Sequence, residues 1–145
     1  MRLLGLDVGD VRIGVALSDD TATIAGGLPT LTRVGPRKDV QAVGALVREH
    51  EVAEVVVGLP RKLDGTLGPQ AEKVQTFAAD LRRSLRIPVH EWDERFTSAE
   101  ATRTLIEGGV RRRDRKLSVD KVAAVLILQG YLDHRRLASP RESPG

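Results

Sequence analysis

Three acidic positions, Asp7, Glu94 and Asp120, invite a chemical reading in this chain of 145 residues. Phosphodiester hydrolysis needs an activated water and a stabilised leaving oxygen, and two divalent ions about 4 Å apart can supply both. Hard cations such as Mg²⁺ or Mn²⁺ take oxygen ligands, so carboxylates converging from separate segments suit that chemistry. Asp7 lies among Leu3, Leu4, Leu6 and Val8, where an ionised carboxylate is costly unless paired or bound to metal. It could equally sit at a strand end and accept hydrogen bonds from the Gly9-Asp10 turn, with Asp10 itself a turn residue. Glu94 falls in Trp92-Asp93-Glu94-Arg95, at the kind of strand end where sites of open α/β sheets collect. The plainer alternative is a solvated cluster in which Arg95 neutralises one acid, and Asp93 could stand in for Glu94. Asp120 follows Ser118 at the expected opening of the last helix, where an acid complements the helix dipole by about 0.3–1 kcal/mol. Its neighbours Val119, Val122, Ala123 and Val125 argue that this helix start packs against the domain.

Basic residues gather near these acids. Arg111, Arg112, Arg113, Arg115 and Lys116 form a basic loop just ahead of Asp120. Such a run is either solvated or a phosphate-holding surface that leads a nucleic acid to the metals. Arg61 and Lys62, in the Leu59–Gly68 loop, and Arg95 are candidates for the same role. Arg12 could contact phosphate, or pair with Asp10 or Asp19. The 23 Lys and Arg against 20 Asp and Glu give a net charge of +3, which permits an acidic partner.

Several chemistries are excluded or weakened. Without cysteine there are no disulfides and no thiolate zinc sites. His50, His90 and His134 lack metal-ligand spacing and read as separate surface residues. Gly5, Gly9 and Gly14 precede a strand, not the helix that a dinucleotide fingerprint requires. Ser18 and Ser98 have no evident histidine partner. Aromatic content of 3% argues against a base-stacking platform. No apolar stretch approaches the roughly 20 residues of a membrane span, and no signal peptide is evident. The expectation is a cytoplasmic protein.

The elements that must position the acids follow from periodicity. Leu3–Val8 reads as a strand, Gly9-Asp10-Val11 as a tight turn, and Arg12–Ser18, with its period of two, as a second strand. Thr21–Arg33 reads as a weaker third, completing an antiparallel meander. Pro36 opens a helix carrying Val40, Val43 and Val47 on one face. Val52–Gly58 contains the unbroken run Val55-Val56-Val57 of a strand covered on both faces. Pro69 opens a helix with a Val74, Phe77, Ala78, Leu81 and Leu85 face, and Ile87–Asp93 is a final strand. Thr97-Ser98-Ala99-Glu100 is a capping box for a helix ending at Gly108-Gly109. Ser118 to about Arg135 is the last helix. The expected product is one α/β domain over residues 1–137, a five-stranded mixed sheet (antiparallel meander plus two parallel strands) flanked by helices. Residues 138–145 read as a frayed tail.

At these residues the chain resembles the bacterial YqgF family, also called RuvX, a pre-16S rRNA nuclease family related to the RuvC Holliday junction resolvase. The matching segments are GLDVGDVRIGVALSD from Gly5, VVVGLPRKLDGTLGPQAEKV from Val55, WDERFTSAEA from Trp92 and VDKVAAVLILQGYL from Val119. They occur in the family's order and cover about residues 3 to 134. The resemblance implies a ribonuclease H-like fold and a metal-dependent nuclease whose three acids match Asp7, Glu94 and Asp120. It also implies 5′-end trimming of a 16S rRNA precursor, with a ribosomal subunit precursor as a partner and a monomer or homodimer as the acting species. The tryptophan before Asp93 differs from the aliphatic residue many relatives carry. Lys121, Val122 and Ala123 follow Asp120 with no fourth acid of the resolvase type, which counts against junction resolution.

Four activities remain to be separated: cleavage of structured RNA, cleavage of branched DNA by a dimer, RNA binding by an assembly factor without catalysis, and an actin-like phosphotransferase. The last is disfavoured, because such enzymes clamp nucleotide between two domains and this chain has room for one.

Overall fold

The computed structural model describes residues 1–62, 64–94 and 112–138, the last segment by backbone path alone up to 121. The capping-box helix expected after Thr97, Arg95, Arg111 and the tail from Ser139 lie outside the described residues.

Strand β1 (Arg2–Val8) shows how the sheet is built. Side chains alternate across a strand, so Leu4, Leu6 and Val8 join one buried cluster while Leu3 joins the other. Leu3, Leu4 and Leu6 are all fully buried, each contributing about 1.5–3 kcal/mol. That suffices to hold the half-buried Asp7 in a central strand. β2 (Arg12–Ser18) and β3 (Ala25–Thr32) complete the antiparallel meander.

β3 is shorter than the expected Thr21–Arg33, and Asp19 is the reason. Its Oδ1 accepts the Thr23 N–H at 2.8 Å and the Ile24 N–H at 3.0 Å, and its Oδ2 accepts the Thr21 hydroxyl. Residues 19–24 are thereby folded into a loop, with Ala22 at φ 56°, before the strand can begin. These bonds hold the Asp19 carboxyl well below its ordinary range.

Helix α1 (Pro36–Glu49) opens at Pro36 as expected, β4 (Val52–Leu59) follows, and α2 (Pro69–Leu85) opens at Pro69. β5 is Val89–Asp93. The sheet order is β3-β2-β1-β4-β5, with β1, β4 and β5 parallel. Leu6, Val57, Phe77 and Leu81 are among the buried residues on the α1/α2 side of the sheet.

The last helix, α3 (Arg112–Ala138), covers the other side. It begins six residues earlier than expected, so Arg112, Arg113, Arg115 and Lys116 lie in a helix and not in a loop. Arginine and lysine are good helix formers, and no Gly or Pro occurs between Arg112 and Gln129. Ser118 is therefore inside the helix and not its cap. Asp120 falls in its third turn, where the dipole explanation for an acid no longer applies. Among the described residues no helix is long and apolar enough to cross a membrane.

Candidate active site

Asp7 shares its face of β1 with Leu3 and Gly5, the face against which α3 packs. Beside it in the parallel ladder, Leu6 pairs with Val57 and Gly58 pairs with Trp92. Trp92 belongs to the α3-side cluster, so the neighbouring Asp93 is directed to the opposite side and Glu94 returns toward α3. The geometry agrees: a Cβ built on Gly58 would stand 2.8 Å from Glu94 Oε1, whereas Asp93 Oδ2 meets Arg61 Nε at 3.3 Å. The ambiguity between Asp93 and Glu94 thus has a structural answer, in which Glu94 is the acid on Asp7's side.

The two side chains interact. Burial, then the charges of Asp7 and Asp93, push the Glu94 carboxyl up from 4.5 to about 7. A half-buried carboxylate crowded by like charges is relieved by a proton or by a cation. The donors are all carboxylate oxygens, the set a hard divalent cation prefers. In this respect the residues fit Mg²⁺ or Mn²⁺. Among the described residues no group of three His, Cys, Asp or Glu side chains is assembled.

The path of α3 places position 120. Arg135 contacts Met1 Sδ and pairs with Glu54 at 3.3 Å, so the end of α3 lies over the start of β1 and β4. The helix therefore runs antiparallel to β1. Ala124 and Leu128 sit directly over Gly5: a Cβ there would come 2.7 Å from Leu128 Cβ and 3.3 Å from the Ala124 carbonyl oxygen. Position 120 is one turn before Ala124, about 6 Å along the helix. Asp7 is two residues beyond Gly5, about 6.6 Å along the strand. The backbone at 120 is thus carried to the end of the sheet that holds Asp7.

Gly5 and Gly58 are residues that the sequence did not reveal. A Cβ on Gly58 would also stand 2.4 Å from Ile127 Cδ1. Both glycines let α3 approach the sheet closely, and the only available signal was their interruption of apolar runs.

The basic candidates divide. Arg12 is exposed at the start of β2, at Asp7's end of the sheet. Lys62 is exposed. Arg61, besides pairing with Asp93, donates to the Gly65 carbonyl at 2.9 Å. Arg112, Arg113, Arg115 and Lys116 occupy the first turns of α3. His90 and His134, expected to stand apart, both reach the Trp92–Tyr131 pair: His90 stacks on Tyr131 and His134 lies 5.2 Å from Trp92.

A mixed sheet in this order, with one long helix across the face that holds the acids, is a ribonuclease H-like fold. The solved structures agree. Thermus thermophilus RuvC in complex with Holliday junction substrate superposes with a TM-score of 0.69 at 13% identity, covering 96% of this chain and 97% of that one. A fowlpox virus Holliday junction resolvase gives 0.54 at 11% identity, covering 92% of this chain and 99% of that one. At these identities the likeness is one of fold.

The chain belongs to the RuvX family, described as Holliday junction resolvase, which it matches over residues 1–134. Relatives named "Putative pre-16S rRNA nuclease" include one from Thermoanaerobacter pseudethanolicus, 50% identical over 94% of this chain and 99% of its own length. Another, from Caldanaerobacter subterraneus subsp. tengcongensis, is 52% identical over 94% and 99%.

Proposed function

We propose that this protein is a metal-dependent nuclease that hydrolyses phosphodiester bonds in 5′-end processing of a 16S rRNA precursor, a cytoplasmic step of ribosome assembly. The observation that carries the reading is the approach of Glu94 to Asp7 on one face at one end of the sheet, crowded enough to raise Glu94 to about 7. The names of the relatives support the choice of RNA.

In this mechanism Asp7, Glu94 and Asp120 hold Mg²⁺ or Mn²⁺, which when bound supplies Lewis acidity and an activated water in the two-metal manner. Asp7 brings its carboxylate on a central strand, so its position is fixed by the ladders on both sides. Glu94 supplies a second carboxylate that is protonated in part near neutrality and must lose that proton to act as a ligand. Arg61 neutralises Asp93 and so limits the negative charge around Glu94. Arg12, Lys62, Arg95 and the basic run Arg111, Arg112, Arg113, Arg115 and Lys116 are the groups assigned to the phosphate backbone.

The family description favours a second reading, in which the same residues cut a branched DNA. Cleavage of a labelled 16S rRNA precursor 5′ end and of a four-way DNA junction, each with Mg²⁺, Mn²⁺ or EDTA, separates the two. The proposal expects metal-dependent cutting of the RNA in preference to the junction. Preferential cutting of the junction by a dimer would transfer the assignment to resolution. Tight RNA binding with no cutting in any metal would leave a non-catalytic assembly factor.

A further inference from the structure

The layer opposite the acids is one of two basic parts of the chain, the other being α3. Residues 36–49 and 69–86 contain seven basic against four acidic residues, a net of +3 that equals the net charge of the whole chain. One of those acids, Asp39, is buried and paired with Arg33 from outside the layer, so the exposed surface is more positive still. Lys73, Arg82 and Arg83 have acidic partners in Asp10, Glu91 and Asp80. Among the described residues Arg37, Lys38, Arg48 and Arg86 show no ion pair.

Arg37 and Lys38 share the first turn of α1 with Asp39, whose carboxylate accepts the Val34 and Gly35 N–H groups. The N-cap of that helix is Gly35 with no side-chain cap. Cations at that end face the positive pole of the helix. Arg37 also lines a groove of about 490 Å³ between α1 and α2, together with Gln41, Asp80, Arg83 and Ser84. That size lies within the ~300–1,000 Å³ typical of ligand clefts.

The α1 side of the groove lies toward Asp7's end of the sheet, whereas Asp80, Arg83 and Ser84 belong to the last turns of α2, which lead away from it. Thr32 pairs with Arg12, and the Arg33 N–H donates to the Val11 carbonyl at 2.8 Å. α1 therefore opens beside the β1–β2 turn, at the end of the sheet where Asp7 stands, and leads away over the other face.

We propose that the α1–α2 groove, through Arg37 and Arg83 in its lining and Lys38 next to Arg37 in the chain, binds the phosphodiester backbone of RNA beyond the cleavage site. It is a second contact surface for a structured substrate too large to be held at the acids alone. The identity of the anion as RNA rests on the nuclease reading, while the groove's preference for phosphate rests on charge complementarity.

The test is fluorescence anisotropy with the full chain in EDTA, so that binding is read without cleavage. The probes are a structured 16S rRNA precursor 5′ segment and a short oligonucleotide spanning only the cleavage site. Arg37→Gln/Lys38→Gln/Arg83→Gln is expected to weaken binding of the long RNA about tenfold. The slope of log affinity against log salt should become shallower by about 2 to 3, with the short probe unchanged. Arg37→Lys/Arg83→Lys, which keeps the charge, should retain affinity for the long RNA. An unchanged long-RNA affinity and salt slope would overturn the proposal and leave the groove to an acidic protein. Equal losses for both probes would overturn it too. A chain that passes this test yet cuts no RNA loses the nuclease reading and keeps the groove.

Discussion

Glu94 is the residue whose ionisation reports on the whole site. Its proton is held more tightly in the folded chain, at about 7, than at the ordinary 4.5. It therefore contributes stability that is fully present below pH 4.5 and is lost as pH rises through about 7. Denaturant titrations in EDTA should show stability falling across that window, and Glu94→Gln should flatten the fall. A divalent ion competes with the same proton, so thermal stabilisation by Mn²⁺ should be larger at pH 8 than at pH 6, with the difference lost in Glu94→Gln. Asp39 works with the opposite sign. Burial opposes its charge, but the Val34 N–H at 2.9 Å, Arg33 Nε at 2.9 Å and the Gly35 N–H hold its carboxyl below 3.8. That contribution is present above 3.8 and disappears as pH falls below it. Arg33 also donates to the Gly9 carbonyl at 2.8 Å, linking α1 to the turn after Asp7. Arg33→Ala should cost about 3 kcal/mol in denaturant unfolding at pH 7, and less as falling pH puts a proton on Asp39.

At the scale of elements, the site depends on how closely α3 lies on the sheet. Gly58→Ala would drive a methyl group to 2.4 Å from Ile127 and 2.8 Å from Glu94. The expected result is a loss of about 1–3 kcal/mol in stability and a larger proportional loss of metal-dependent activity, read by unfolding and by cleavage on the same preparation. An unchanged rate in a destabilised variant would show that α3 does not set the position of the acids. The strands and first two helices were legible in the sequence because their signals are local: the period of two in Arg12–Ser18, the apolar run before Gly58, and prolines at 36 and 69. The start of α3 was not. Arg112–Lys116 has no apolar stripe to betray a helix, so helix propensity prevailed over a composition that reads as loop. The choice between Asp93 and Glu94 was equally hidden, because strand parity follows from the face α3 covers, a tertiary fact. Gly5 and Gly58 look like simple breaks in apolar runs until the helix above them is seen.

At the scale of the molecule, the sheet separates two tasks. The α3 face brings Asp7 and Glu94 together at the end where β1 and β4 finish, and the α1/α2 face carries the groove lined by Arg37 and Arg83. The RuvX family relationship spans residues 1–134, so both faces belong to the shared domain. Asp7 lies in a central strand between the buried Leu6 and Val8, and asparagine preserves its shape while removing its charge. The measurement that tests the central claim most directly is the rate of Mn²⁺-dependent cleavage of a 16S rRNA precursor 5′ end by Asp7→Asn, on protein shown by circular dichroism to be folded. Loss of a direct metal ligand should reduce the rate by more than the about 10- to 100-fold typical of an outer partner, with RNA binding retained. Cleavage by folded Asp7→Asn at the wild-type rate would contradict the account, because the site would then work without the residue around which it is built.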